Sequence, residues 1–248
     1  MGKFKIILLF CISRKSKHTM EKKDLILDLI QANGNAENLE GMQRYGIRFD
    51  KAFGCNIPFL RKLAKQFKKD HYLAKELWAT GIHEARIMAF LIDDPKEVTE
   101  VQMERWVRNL NSWDICDGLC SNLFRKTEWA YDKAKEWSGK NEEFLKRAGF
   151  VMMAVLAVHD KKADNKTFLE FFDIIEKESI DERNFVKKAV NWALRQIGKR
   201  NEVLHKKAIV YAKRIEKQPS RSAKWIAKDA LRELKSDTTR RVLERRKK

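Results

Sequence analysis

Apolar residues recur at helical spacing along most of the chain, and no segment alternates apolar and polar residues as a half-buried strand would. The pattern predicts helices joined by short loops, with a longer loop over residues 33–53 around Tyr45. Asn56 is predicted to cap the second helix. The predicted helices cover residues 24–32, 58–67, 71–79, 83–92, a segment around Trp106, a segment around Asp117, 128–137, 142–158, 166–178, 182–198, 203–216 and 220–234.

Helix pairs recur about every 40 residues, which is typical of stacked helical repeats. Only three prolines and ten glycines interrupt the 248 residues, and this low number favours helices over strands. We therefore predict an all-α protein, a HEAT-like repeat solenoid with a curved, concave face. One domain is expected over residues 20–236, preceded by a leader (1–19) and followed by a basic tail (237–248).

The two ends of the chain have unusual compositions. The leader carries a short apolar run over residues 6–12, and a bilayer span needs about 20 apolar residues. Because no small-residue cleavage site follows, we interpret the leader as a start assigned too early, with Met20 as the natural first residue. The tail is dominated by lysine and arginine and is predicted to be a frayed helix or a disordered arm.

The cysteines point to a reducing compartment. Cys11, Cys55, Cys116 and Cys120 form no secreted disulfide pattern, and no histidine lies at zinc-ligand spacing from them. The expected location is the cytoplasm, on the nucleoid if the source is bacterial, and no metal is expected.

The charge balance indicates a polyanionic partner. Lys and Arg number 53 against 35 Asp and Glu, which leaves a formal net charge of +18. Such an excess is typical of nucleic-acid binding and less often of membrane-surface binding. The alternative is a highly charged surface with no polyanionic ligand.

The helix around Asp117 contains the first candidate for chemistry. Cys116, Leu119 and Cys120 share its apolar face, and Asp117 lies at the border of that face beside Trp113. A carboxylate held against aromatic rings loses hydration, so it must be paired, neutralised or used. Asp117 is therefore a candidate catalytic carboxylate, and the alternative is a carboxylate bonded to a neighbouring helix. Asp114 is predicted to face solvent near the helix N-terminus.

A cation interrupts the apolar helix 142–158. Arg147 falls in the middle of its apolar line, near the start of the helix. The functional interpretation is a guanidinium that grips phosphate in a cleft. The alternative is a side chain that extends to the surface or pairs with a structural acid.

Two indoles lie among cations, away from the apolar lines of their helices. Trp192 is opposite the apolar line of its helix, and Trp225 repeats this arrangement. We predict a basic, aromatic face that follows a nucleic-acid backbone, although neighbouring repeats covering the indoles would also explain them. The accompanying cations are Lys188, Arg195 and Lys199 around Trp192, and Arg221, Lys228 and Arg232 around Trp225.

Three stretches together resemble the HEAT-like-repeat DNA alkylation repair proteins of the AlkD type. They are SWDICD (112–117), FLKRA (144–148) and FVKKAVNWALR (185–195), and the resemblance extends from about residue 45 to about residue 234. It implies a monomeric, monofunctional DNA glycosylase that needs no cofactor and releases N3- and N7-alkylated purines from duplex DNA. The essential aspartate of that family matches Asp117, its two cleft tryptophans match Trp113 and Trp192, and its phosphate-gripping arginine matches Arg147.

The chain departs from this pattern at Ser112, where the glycosylase has a second tryptophan. Some relatives on this scaffold bind DNA without excising bases. A non-catalytic protein that recognises damaged or branched DNA is therefore the alternative, and a solenoid adaptor for an acidic protein is a further one.

Overall fold

The computed structural model describes residues 18–247, and each regular element in this range is a helix. Outside the helices, an isolated parallel bridge joins Lys51 and Ile82. The predicted leader lies outside the described residues, except for positions 18 and 19, which are helical. None of the described helices combines the length and apolarity that a membrane span requires. The chain divides into two compact units, and the boundary between them falls between Thr99 and Glu100.

The first unit contains five helices within residues 18–99. Polar side chains start several of them: Asn56 accepts a hydrogen bond from the amide of Phe59 at 2.9 Å, which confirms the predicted cap. The core of this unit includes fully buried Leu60, Leu73 and Leu77. The helices are α1 (18–32), α2 (Ala36–Arg44), α3 (Ile57–Ala64), α4 (His71–Ala79) and α5 (His83–Ile92).

The prediction of a loop over residues 33–53 is wrong, because α2 lies within that range. The Asn35 side chain accepts from the amides of Glu37 and Asn38 and thereby starts the helix. None of the residues of α2 is buried, its large apolar residues Leu39 and Met42 are only half-buried, and the neighbouring Asn and Gly residues favour a loop.

The second unit contains the remaining elements. They are α6 (Glu100–Arg108), α7 (Trp113–Asn122), a short 3-10 helix (Phe124–Lys126), α8 (Ala130–Ser138), α9 (Glu143–His159), α10 (Asn165–Glu178), α11 (Asn184–Gly198), α12 (Glu202–Glu216), α13 (Arg221–Leu234) and α14 (Asp237–Lys247). These bounds agree closely with the predicted helices of this half of the chain.

Helix α9 is the centre of the second unit. Each residue from Phe144 to Ala157 is buried, and α9 contacts α7, α8 and α11. Gly149 permits the close approach to α8, since a Cβ at this position would lie 2.3 Å from the amide nitrogen of Ser138. Consequently, residues near the start of α9 can reach both α7 and α11, and this geometry positions the site described below.

The basic tail is helical over residues 237–247 and is not a disordered arm. Thr239 and Leu243 are buried, and α14 contacts α13. Arg246 donates a hydrogen bond to the carbonyl oxygen of Lys199. Burial of the apolar Leu243 holds one face of this segment against the protein, although its charges alone favour a solvated arm.

Candidate functional site

An ion pair joins α7 to α9. Arg147 donates from Nε to Oδ1 of Asp117 at 2.9 Å and from Nη2 to Oδ2 at 2.8 Å. Its Nη1 donates to the carbonyl oxygen of Phe185, in α11, at 2.6 Å. One guanidinium therefore links three helices, and both oxygens of Asp117 accept from it. This parallel, two-point arrangement is the strongest geometry for an arginine and a carboxylate.

The two partners differ in exposure. The Arg147 side chain is 7% exposed, whereas the Asp117 side chain keeps 21% of its surface accessible. Burial raises the pKa of the Asp117 carboxyl above its ordinary value, against the opposing charge of Arg147. The sequence-based picture of Arg147 as a guanidinium free to enter a cleft is thus incomplete, because Asp117 and the carbonyl oxygen of Phe185 already accept from three of its five N–H donors.

The Asp117–Arg147 pair forms one wall of an open pocket of about 490 Å³. The lining residues come from four helices of the second unit, α7, α9, α11 and α13. They are Asp117, Arg147, Lys188, Asn191, Trp192, Arg195, Trp225 and Asp229. Three of these side chains are cationic and two are acidic, so the lining carries a small positive excess and two indoles.

The structure brings together some of the candidate site residues and leaves others outside the pocket. Trp192 is half-buried and Trp225 is 40% exposed, and both line the pocket. Trp113 is half-buried at the start of α7 and is not a lining residue. Lys199, Arg221 and Lys228 also lie outside the lining. The candidate residues therefore divide into a pocket group and a peripheral group.

The cations around Trp192 are not equivalent. Arg195 forms an ion pair with Glu233, and its Nη1 lies 3.5 Å from Oδ2 of Asp229. Lys199 also forms an ion pair with Glu233. Lys188 is exposed and has no ion-pair partner within residues 18–247. The predicted basic face around Trp192 is therefore less basic than its cations suggest, since acids of α13 pair with two of the three.

Sequence reasoning missed two pocket residues, Asn191 and Asp229. Asn191 is 1% exposed and donates from Nδ2 to Asp229 at 2.7 Å. Asp229 also accepts from Arg232, so this carboxylate is held by groups on both α11 and α13. Asp229 follows Trp225 by one helical turn, a spacing that places the two on one face and could have revealed it.

No metal site is apparent among residues 18–247, where no group of three or more His, Cys, Asp or Glu is placed to hold an ion. The cysteines in this range, Cys55, Cys116 and Cys120, are buried and free. Burial raises the pKa of the Cys120 thiol well above its ordinary value, so this thiol is a poor nucleophile. The side chains that line the pocket are carboxylates, cations, indoles and one amide.

The chain is similar to a known protein family and to a solved structure. Residues 26–234 match the sequence model of a family described as DNA alkylation repair enzyme. A solved structure from a new family of proteins related to the HEAT-like repeat DNA glycosylases, with affinity for branched DNA structures, aligns with a TM-score of 0.70. It is 22% identical, and the match covers 84% of this chain and 94% of that chain. No curated protein matches the chain. The predicted HEAT-like helical fold is confirmed.

Proposed function

Since the chain belongs to the DNA alkylation repair enzyme family, we propose that it is a monofunctional DNA glycosylase. Its substrates are N3- and N7-alkylated purines in duplex DNA, and its reaction is hydrolysis of the N-glycosidic bond. Asp117 is the catalytic residue in this proposal. The main support for this proposal is the position of the Asp117 carboxylate, which Arg147 holds at the wall of an open pocket.

The chemistry of the leaving group explains why one carboxylate is enough. Glycosidases that act on neutral sugars need a second carboxylic acid to protonate the departing oxygen. A purine alkylated at N3 or N7 already carries a positive charge, so it departs without an acid. Positive charge then develops on the sugar, and a fixed anion next to it stabilises the transition state.

Arg147 would act as a positioning residue for Asp117. A guanidinium has five N–H donors, and three of them are used by Asp117 and Phe185, which leaves two for a further acceptor. A DNA phosphate at the pocket would be such an acceptor, with exposed Lys188 close by on the same lining. Arg147 can therefore bridge the carboxylate and the backbone of the substrate.

The direct test is an incubation of the purified protein with duplex DNA that contains one 7-methylguanine. We expect release of the free base and formation of an abasic site. The same duplex with an unmodified guanine is the control and should stay intact. Absence of release at excess protein would contradict the glycosylase proposal.

A second candidate is a protein that binds damaged or branched DNA without excision. Ser112 supports it, because this fully buried side chain stands where the glycosylase that the motifs resemble has a second tryptophan. The bidentate pairing of Asp117 with Arg147 also supports it, since the guanidinium offsets the charge that a sugar cation would need. Tight binding to a branched duplex with no release of 7-methylguanine would favour this alternative.

The rate of base release should depend on pH through Asp117. The anion is the active form, and burial raises its pKa above the ordinary carboxyl value. We therefore expect the rate to fall as the pH is lowered through this raised pKa and to reach a plateau above it. The single-turnover rate of 7-methylguanine release, measured across pH, checks this. A flat profile down to the ordinary carboxyl pKa would contradict it.

The salt dependence of DNA binding should distinguish the contribution of Lys188 from that of Arg195. Each neutralised phosphate contributes about −0.9 to the slope of log affinity against log salt concentration. Lys188→Ala should reduce the magnitude of this slope by about one unit, whereas Arg195→Ala should change it less because acids on α13 already pair with Arg195. Lys206→Ala, an exposed cation on α12 outside the pocket, is the control. Equal effects of the three substitutions would show that Lys188 makes no specific phosphate contact.

A further inference from the structure

We propose that the second unit carries another DNA-binding surface, outside the pocket, which contacts the backbone of the duplex that flanks the pocket. We call this surface the basic edge. The inference rests on the proposed DNA binding and does not depend on base excision. The basic edge consists of Arg125, Lys126, His159, Lys161 and Arg246, and none of these residues lines the pocket.

The basic edge lies where α7 and α9 end. Its first two members belong to the 3-10 helix (Phe124–Lys126) that follows α7. His159 is the last residue of α9, Lys161 is in the loop after it, and Arg246 comes from α14. His159 is twelve residues beyond Arg147, which corresponds to about 18 Å along the axis of α9. The basic edge is therefore separate from the pocket.

Helix α14 adds a cation to a surface that is already positive. Arg246 donates a hydrogen bond to the carbonyl oxygen of Lys199, at the C-terminal end of α11. Burial and the charges of Arg246 and Arg200 lower the pKa of Lys161, because these cations lie near it. Helix α14 also lies beyond residues 26–234, the part of the chain that matches the family. This cation is therefore supplied from outside the matched region.

The acids of the described residues do not neutralise the basic edge. None of its members forms an ion pair within residues 18–247. Asp160, next to Lys161 in the chain, already accepts from the hydroxyl of Tyr131 and from two backbone amides. Burial and the nearby positive charges, first that of Arg125, lower the pKa of His159. A polyanion at this surface would relieve the repulsion among these groups.

The chemistry of the basic edge suits a sugar-phosphate backbone. Lys126 and Lys161 carry exposed ammonium groups. Arg125 donates from Nε to the carbonyl oxygen of Ser121 at 2.6 Å, which leaves its two terminal nitrogens for phosphate oxygens. No large apolar side chain that is exposed in the described part of the chain belongs to this surface. It therefore lacks a group that would insert into a bilayer or stack on a base, and this favours contacts with phosphates.

The length of α9 indicates which phosphates are within reach. The basic edge lies about 18 Å from Arg147 along the helix axis, and successive base pairs of a duplex are about 3.4 Å apart. The contacted phosphates would then be about five base pairs or more from the base pair at the pocket. A duplex held at both places gains affinity from the second contact, while the chemistry at Asp117 is unchanged.

The first test measures the salt dependence of binding to a duplex of about 24 base pairs. Lys126→Ala combined with Lys161→Ala should reduce the magnitude of the slope of log affinity against log salt concentration by about two units, since each neutralised phosphate contributes about −0.9. Lys213→Ala combined with Lys217→Ala is the matched control. Both of these lysines are exposed near the end of α12, form no ion pair within the described residues, and should leave the slope unchanged.

The second test locates the contact on the DNA. The duplex carries one 7-methylguanine, protected from release by a 2′-fluorine, and neutral methylphosphonates replace the phosphates that lie about five or more base pairs away. We expect the wild-type protein to lose affinity on this replacement. The variant without Lys126 and Lys161 should be much less sensitive to it, because charges that interact with each other do not contribute additively.

An equal slope in the wild-type protein and the Lys126, Lys161 variant, or an equal loss in the control variant, would overturn the inference. Equal sensitivity of the two proteins to the methylphosphonates would also overturn it. The same variants are titrated with polyglutamate, and a loss of affinity for polyglutamate alone would assign the basic edge to an acidic protein instead.

Failure of this inference is distinguishable from failure of the glycosylase proposal. Release of 7-methylguanine with an unchanged salt slope would remove this inference alone. A reduced slope in the Lys126, Lys161 variant, with no base release by the wild-type protein, would leave it standing while the glycosylase proposal fails.

Discussion

The Asp117→Asn variant should release 7-methylguanine at least about a hundredfold more slowly than the wild-type protein. The substitution keeps the shape of the side chain and removes its charge, so it removes the anion next to the developing sugar cation. Binding of the duplex should change much less, because the loss is confined to the transition state. Single-turnover rates and equilibrium affinities of the two proteins check this expectation.

Asp114→Asn is the matched control, because Asp114 lies on the same helix and its Oδ1 accepts a hydrogen bond from Ser112 at 2.6 Å. It is not a pocket residue, and its base release should stay near the wild-type rate. Equal losses in the Asp117 and Asp114 variants would show a general effect on α7 and would contradict a catalytic role for Asp117.

Loss of activity in Asp117→Asn must be separated from loss of stability, since Arg147 loses its counter-charge. The double variant Asp117→Asn with Arg147→Met removes both charges and should recover part of the thermal stability. It should remain inactive. Recovery of base release together with stability would contradict the assignment of Asp117.

The Arg147→Ala variant should show the largest loss of stability of the substitutions considered, about 3–5 kcal/mol. It leaves the largely buried Asp117 carboxylate without its partner and removes the donor to the carbonyl oxygen of Phe185. The substitution therefore removes all the contacts through which the guanidinium joins α7, α9 and α11. Denaturant unfolding of the two proteins measures the difference.

Arg108→Ala is the control for this prediction. Arg108 is also ion-paired, to Glu104 and Glu142, but its side chain is 53% exposed. Its removal should cost less than about 1 kcal/mol, because water screens exposed pairs. Similar losses for Arg147→Ala and Arg108→Ala would show that the link among the three helices contributes little to stability.

Much of the fold could be predicted from the periodic spacing of apolar residues alone. Helix α9 is apolar nearly all round, and such a helix must be buried. Helix α2 could not be predicted in the same way, because it buries none of its residues and its start depends on the cap at Asn35. Its two large apolar residues, Leu39 and Met42, are too few to give a clear helical period in a stretch rich in Asn and Gly.

The candidate site was only partly predictable. Asp117 stood out at the border of the apolar face of its helix, and Arg147 stood out within the apolar line of its helix. Their pairing joins residues 30 positions apart and follows from the packing of α7 on α9. The neutralisation of Arg195 and Lys199 by Glu233 joins α11 to α13 in the same manner. A helical pattern gives the direction of a side chain and does not identify the partner on the next helix.

In the proposed reaction one anion, with no general acid, supports the release of a purine that is already cationic. The most direct measurement is single-turnover base release by the wild-type protein from two duplexes that differ only in the lesion, 7-methylguanine or the neutral O6-methylguanine. We expect release of 7-methylguanine and none of O6-methylguanine. Release of both bases at similar rates, or of neither, would contradict it.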